Sequence, residues 1–150
     1  MATDSDSTFN EVDAALAGGS TSVSRLRAGR QVRAAVIDQD PDLVVLDLQI
    51  GSMGGMATCM DLRLEEGAGR LESRPILLLL DRDADVFIAK SSGADGWLIK
   101  PVDAGRLRKA AAALDAGETF TELGLTAVGR TVAPTAEVVD DPVEDTATAQ

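Results

Sequence analysis

Polar and apolar residues are mixed along most of this chain, and three uninterrupted apolar runs break the mixture. Leu43-Val44-Val45-Leu46 ends at Asp47. Ile76-Leu77-Leu78-Leu79-Leu80 follows Arg74-Pro75 and ends at Asp81. Gly96-Trp97-Leu98-Ile99 ends at Lys100-Pro101. Short apolar runs without alternation suit strands covered on both faces. Around them the apolar spacing turns helical. Phe9, Val12 and Leu16 share a face behind a Ser7 or Thr8 cap, and Gly18-Gly19 stops that helix. Val32, Val36 and Ile37 face inward from a helix over 29–37, and Met56, Cys59, Met60 and Leu64 from one over 56–66. Asp83 or Asp85 starts a short helix carrying Val86, Phe87 and Lys90 up to Gly93. Asp103 caps a last one with a stripe of Leu107, Ala110, Ala111 and Leu114 before Gly117. Residues 20–26 alternate and predict a modest strand.

Apolar runs alternating with helices predict an α/β fold, a doubly wound parallel sheet with helices on both faces. Right-handed crossovers bring the strand ends to one edge of the sheet, where ligand chemistry gathers in such folds. Asp47 and Lys100 would meet there, above the loop that carries Gly51, Gly54 and Gly55. An acid so placed is a candidate nucleophile or metal ligand, or the cap of the following turn. A surface lysine and an unrelated acid are the alternative for the pair.

Composition narrows the chemistry. One hundred and fifty residues suit one domain with a real core. The net charge of −11 argues against binding nucleic acid or an anionic membrane through a general field. There is no histidine, which excludes His-based catalysis and His-ligated metals. Cys59 is the single cysteine, at helical spacing with Met56 and Met60, so it reads as a buried apolar thiol. No signal peptide or membrane span is read, and a cytoplasmic protein is expected. Residues 121–150 are acidic and without sustained period, a tail expected to be disordered, with no DNA-binding module read in it.

Asp47 after PDLVVL, the Met53-Gly54-Gly55 loop, RPILLLL, and GADGWLIKP together resemble a response-regulator receiver domain, of the stand-alone atypical type found in actinobacteria. The resemblance runs from about Asp4 to about Ala116. It implies a flavodoxin-like domain over 1–120, with Asp47 as phospho-acceptor and Lys100 beside it. It also implies Mg²⁺ held by Asp4, Asp6, Asp47 and the Gln49 carbonyl. Ser5 stands where the family usually has a second acid, and Asp4 and Asp6 also read as favourable charge at a helix start. Leu80 stands where the family places a Ser or Thr switch hydroxyl, and Trp97 at its switch aromatic. The proline after Lys100 implies a cis bond, or else a trans bond opening the next loop.

The implied activity is not enzymatic beyond self-catalysed phosphoryl transfer. Phosphate would come from a sensor histidine kinase or phosphotransfer protein. The signal would pass by protein contacts, through a face including Val86, Lys90, Trp97 and Arg106, to an unknown output partner. The alternative is a phosphorylation-independent binding module of the same fold. Only Met1-Ala2-Thr3 precede Asp4, so the family's first strand is expected to be truncated by a late start, the alternative being a sheet with a gap or with a partner strand filling it.

Overall fold

The computed structural model describes residues 1–122. The expected disordered tail lies outside them except for Thr121 and Glu122. Four strands, β1 (Val44–Asp47), β2 (Ile76–Leu80), β3 (Gly96–Ile99) and β4 (Phe120–Thr121), form one sheet in the order β1-β2-β3-β4. Every pair is parallel, with Val44 opposite Ile76, Leu77 opposite Gly96 and Gly96 opposite Phe120. The helices are α1 (Asp6–Leu16), α2 (Val32–Gln39), α3 (Gly55–Gly67), α4 (Val86–Ser92) and α5 (Ala104–Asp115).

Alternation along the strands divides the core in two. Val44, Leu46, Ile76, Leu78, Leu80 and Trp97 pack with Val32, Val36, Cys59, Leu62 and Ala89 on the side of α2, α3 and α4. Val45, Leu77, Leu79 and Leu98 pack with Val12, Ala15, Leu107, Ala110 and Leu114 on the side of α1 and α5. This is the doubly wound arrangement that the continuous apolar runs predict.

At the start of the chain no strand element precedes α1, but the sheet has no gap there. Met1-Ala2-Thr3 occupy the place of a strand beside β1. Ala2 bridges both Leu26 and Leu46 in parallel. Its N–H donates to Val45 O at 2.8 Å, and its carbonyl accepts the Asp47 N–H at 2.9 Å. Three residues thus make the central pairing, and no gap separates Leu26 from β1. Residues 20–26 do not form the expected strand. Leu26 alone pairs with the start of the chain, because Met1–Thr3 offer no longer edge; Thr21 bridges back to Gly18, and Ser20, Thr21, Ser22 and Ser24 lie exposed.

Several faces are also rotated from the sequence reading. Ser5 caps α1, accepting the Thr8 N–H at 3.2 Å, in place of Ser7 or Thr8. Helix α3 begins one residue early at Gly55 and meets the sheet through Thr58, Cys59 and Leu62. That rotation leaves Met60 and Leu64 exposed, as Ile37 and Phe87 are on their helices. Gly55 itself is required: a Cβ there would collide with the Asp47 carbonyl oxygen, so α3 could not start against the end of β1. No helix among the described residues is long and apolar enough to cross a membrane.

Two outcomes are expected. Leu78 lies fully buried between strands, and Leu78→Ala lowers unfolding free energy by about 3 kcal/mol in urea titrations. Burial pushes the Cys59 thiol above its ordinary pKa, and its Sγ lies 3.4 Å from Ser92 O. Alkylation of Cys59 at mildly alkaline pH is therefore slow in the native protein and fast in denaturant, as timed by intact mass.

Candidate functional site

Pairing at the sheet's carboxyl edge assembles the site. Because Asp47 N–H bonds to Ala2 O, the next residue, Thr3, stands beside the Asp47 side chain and donates its hydroxyl to Oδ2 at 2.7 Å. Because Lys100 N–H donates to Leu80 O at 2.8 Å, the lysine leaves β3 level with the end of β2. Its Nζ reaches Asp47 Oδ1 at 2.6 Å. The Gln49 N–H donates to the same oxygen at 3.3 Å. Asp47 is 1 % exposed, and the Lys100–Pro101 bond is cis.

Asp81, just past β2, also accepts from Lys100 Nζ, at 3.1 Å. Burial pulls the Lys100 ammonium down, but hydrogen bonds to Asp47 and Asp81 outweigh it, and its pKa lies above the ordinary lysine value. The ammonium is therefore a fixed cation between two acids.

Asp4 accepts the Gly51 N–H at 3.2 Å, so its carboxylate hangs over the loop that follows Asp47. Asp6 turns elsewhere: its Oδ1 accepts from Arg25 at 2.6 Å and Arg27 at 2.9 Å, and these bonds hold its pKa below the usual carboxylate value. Ser5 is engaged in its helix cap. Among the described residues no three His, Cys, Asp or Glu side chains are placed to hold a metal together. Asp4 and Asp47 both bond to the loop that follows β1, Asp4 at Gly51 and Asp47 at Gln49, so two carboxylates border that loop and oxygen donors only are on offer there. That fits Mg²⁺, which is commonly held by one or two carboxylates and keeps several waters. Asp6 is not one of them.

The two residues at the family's switch positions are core. Leu80 is fully buried in the same cluster as Trp97 and offers no hydroxyl. Trp97 is buried as well, and its Nε1–H donates to Glu122 O at 2.8 Å, so it is not part of an accessible surface. Arg106 is engaged with Glu122, Ile99 O and Pro101 O. Sequence reasoning missed Thr3, Asp81 as a partner of Lys100, and Glu122. Thr3 was legible as the residue entering the acidic turn. Glu122 had no signal, because its role depends on where the chain returns after α5.

The family model described as "Response regulator receiver domain" matches residues 2–112. The nitrate/nitrite response regulator protein NarL of Escherichia coli is 36% identical over 89 residues, covering 59% of this chain and 40% of that protein. The transcriptional regulatory protein AfsQ1 of Streptomyces coelicolor is 39% identical over 67 residues, covering 43% of this chain and 27% of its own length. This chain thus spans well under half of those relatives. Among solved structures, the signal receiver domain of a Syntrophus aciditrophicus signal transduction histidine kinase superposes with TM-score 0.66 at 26% identity, covering 76% of this chain and 86% of that one. The chemotaxis response regulator CheY4 of Vibrio cholerae gives TM-score 0.66 at 24% identity, over 75% and 93%.

The ion pair sets a stability test. Lys100→Met leaves the Asp47 charge buried without its cation and is expected to cost about 3 kcal/mol. Adding Asp47→Asn to Lys100→Met restores part of that loss, so the double-mutant cycle in urea yields a favourable coupling energy.

Proposed function

Because the chain belongs to the response regulator receiver domain family, we propose that Asp47 accepts a phosphoryl group from a phosphohistidine on a sensor histidine kinase or phosphotransfer protein. The observation that carries the reading is the Lys100 ammonium at 2.6 Å from a carboxylate that is otherwise shut off from solvent. These 150 residues contain no histidine, so the phosphohistidine donor lies outside them.

In the transfer, a carboxylate oxygen of Asp47 forms the new P–O bond as the P–N bond to the donor imidazole breaks. Lys100 stays protonated and offers its charge to the transferring group, a task for which it must loosen from Asp47. Asp81 holds the ammonium near the site during that change. Asp4, Asp47 and Gln49 would hold Mg²⁺, whose charge offsets that of the phosphoryl oxygens. Thr3 keeps the other carboxylate oxygen in place through its hydroxyl.

The phosphorylated state is proposed to act in the cytoplasm through contact with an output protein. The relatives in which such domains occur include proteins named as DNA-binding response regulators. Leu80 and the buried Trp97 favour a second reading, a receiver fold that binds its partner without phosphorylation. In that reading the Leu80–Trp97 core simply holds one state.

Intact mass spectrometry after incubation with Mg²⁺ and acetyl phosphate decides between them. One phosphoryl adduct is expected in the native protein and none in Asp47→Asn. Lys100→Met is expected to slow its formation by about 100-fold, the scale of losing one preorganised charge donor. A native protein that stays unmodified while folded and supplied with Mg²⁺ establishes the phosphorylation-independent reading.

A further inference from the structure

The Lys100 ammonium has two anionic partners. Asp47 Oδ1 lies 2.6 Å from Nζ and Asp81 Oδ1 3.1 Å from it. The Asp47 side chain is 2 % accessible and the Asp81 side chain 35 %, so Asp47 forms the floor of the pocket and Asp81 stands at its mouth. Main-chain pairing fixes that placement. Lys100 N–H donates to Leu80 O at 2.8 Å, which puts the residue after Leu80 level with the lysine. Among the described residues Lys100 is the one cation paired with Asp81, and the neighbouring Arg82 is turned to Asp85 through both its N–H and its guanidinium. One cation and two carboxylates in direct contact leave one negative charge uncompensated, where Asp47 and Lys100 alone would cancel. Leu80 is fully buried and offers no hydroxyl to an anion there.

We infer that Asp81 competes with the incoming phosphoryl group for Lys100 and thereby sets donor specificity, disfavouring dianionic acyl phosphates relative to N-phosphoryl donors of lower charge. The inference rests on Asp47 being the phosphoryl acceptor. A phosphoryl oxygen that takes the Lys100 ammonium must share it with the Asp81 carboxylate, and two oxygens on one Nζ stand no more than about 6 Å apart. At that separation, in a pocket mouth with an effective dielectric between those of protein surface and water, each unit of donor charge changes the encounter about tenfold. An acyl phosphate arrives with two negative charges, and a carboxylate leaves. A phosphoramidate protonated on nitrogen arrives with one fewer. Its P–N bond breaks as the P–O bond to Asp47 forms, and the nitrogen departs with the bonding pair as a neutral amine. Phosphohistidine is of the same N–P class, with imidazole as the neutral leaving group. Asp81 makes and breaks no bond in either transfer. It is a positioning residue that selects by its charge.

Adduct formation timed by intact mass, with Mg²⁺ and either acetyl phosphate or phosphoramidate, reads this selection. Asp81→Asn keeps an oxygen acceptor for Lys100 and removes only the charge; it is expected to raise the acetyl phosphate to phosphoramidate rate ratio about tenfold. Asp42→Asn removes an exposed acid at the opposite end of β1 and leaves the ratio unchanged. Salt separates charge from packing. Raising it from about 0.01 M to about 1 M shortens the screening length from about 30 Å to about 3 Å, so the ratio climbs in the native protein and stays level in Asp81→Asn. If the asparagine variant fails to fold by circular dichroism, Asp81→Ala carries the comparison. An adduct that forms with the same donor ratio in native protein and variant overturns the inference and leaves Asp47 as acceptor. Should no adduct form on either protein, the acceptor reading fails, and sulfate, a permanent dianion of the same shape, decides on Asp81. Calorimetry is then expected to show at least about tenfold tighter sulfate binding to Asp81→Asn than to the native protein, lost on adding Lys100→Met. Equal sulfate affinity overturns the competition as well.

Discussion

A carboxylate taken almost wholly out of water at the end of a leucine-lined strand is costly unless donors and an opposite charge replace the lost solvent. Asp47 is in that situation, and its compensation comes from three separate stretches of chain: the Thr3 hydroxyl, the Gln49 amide and the Lys100 ammonium. None of these is close to Asp47 in sequence except Gln49. Each is delivered by backbone pairing, Thr3 through the Ala2 bridge and Lys100 through β2 and β3. A slip of one residue in β3 would turn Lys100 to the other side of the sheet and strand the acid without a cation. Register is therefore the constraint on which the site rests, and the leucine-rich faces that fix register are as necessary to it as the charged residues.

The parts of this molecule that were legible in the sequence are those with a strong local cause. Three apolar runs without polar interruption suit covered strands, and right-handed crossovers bring the residues that end them to one edge. The doubly wound sheet and Asp47 beside Lys100 follow from that pattern, and the resemblance to the family adds that Leu80 replaces a hydroxyl. Features set by distant partners were not legible. Residues 20–26 alternate as a strand would, yet Met1–Thr3 give them one bridge and no more. The inward face of α3 was misread because its start depends on how closely Gly55 approaches Asp47. Asp6 looked like a ligand until two arginines from the next segment claimed it. β4 is two residues long and follows a glycine turn, too little for any periodicity to announce.

The acid pocket and the far edge of the sheet are mechanically close. Arg106 holds the carbonyls on either side of Lys100 while gripping Glu122, so one guanidinium spans the lysine's backbone and the returning chain. Leu80 and Trp97 complete the connection inside the core, the first next to Asp81 and the second hydrogen-bonded to Glu122. A hydroxyl at position 80 could have followed charge at the pocket, whereas a leucine follows packing. The contacts that join the two places are therefore main-chain carbonyls and the arginine, with no hydroxyl at position 80 among them.

Trp97 is the chain's single tryptophan, and tyrosine is absent. Its indole N–H bonds to Glu122 O, so near-ultraviolet emission from this protein comes from one ring whose polar atom touches the returning segment. The molecule carries an intrinsic optical gauge, readable without label or added dye, of how its returning segment lies against the sheet edge.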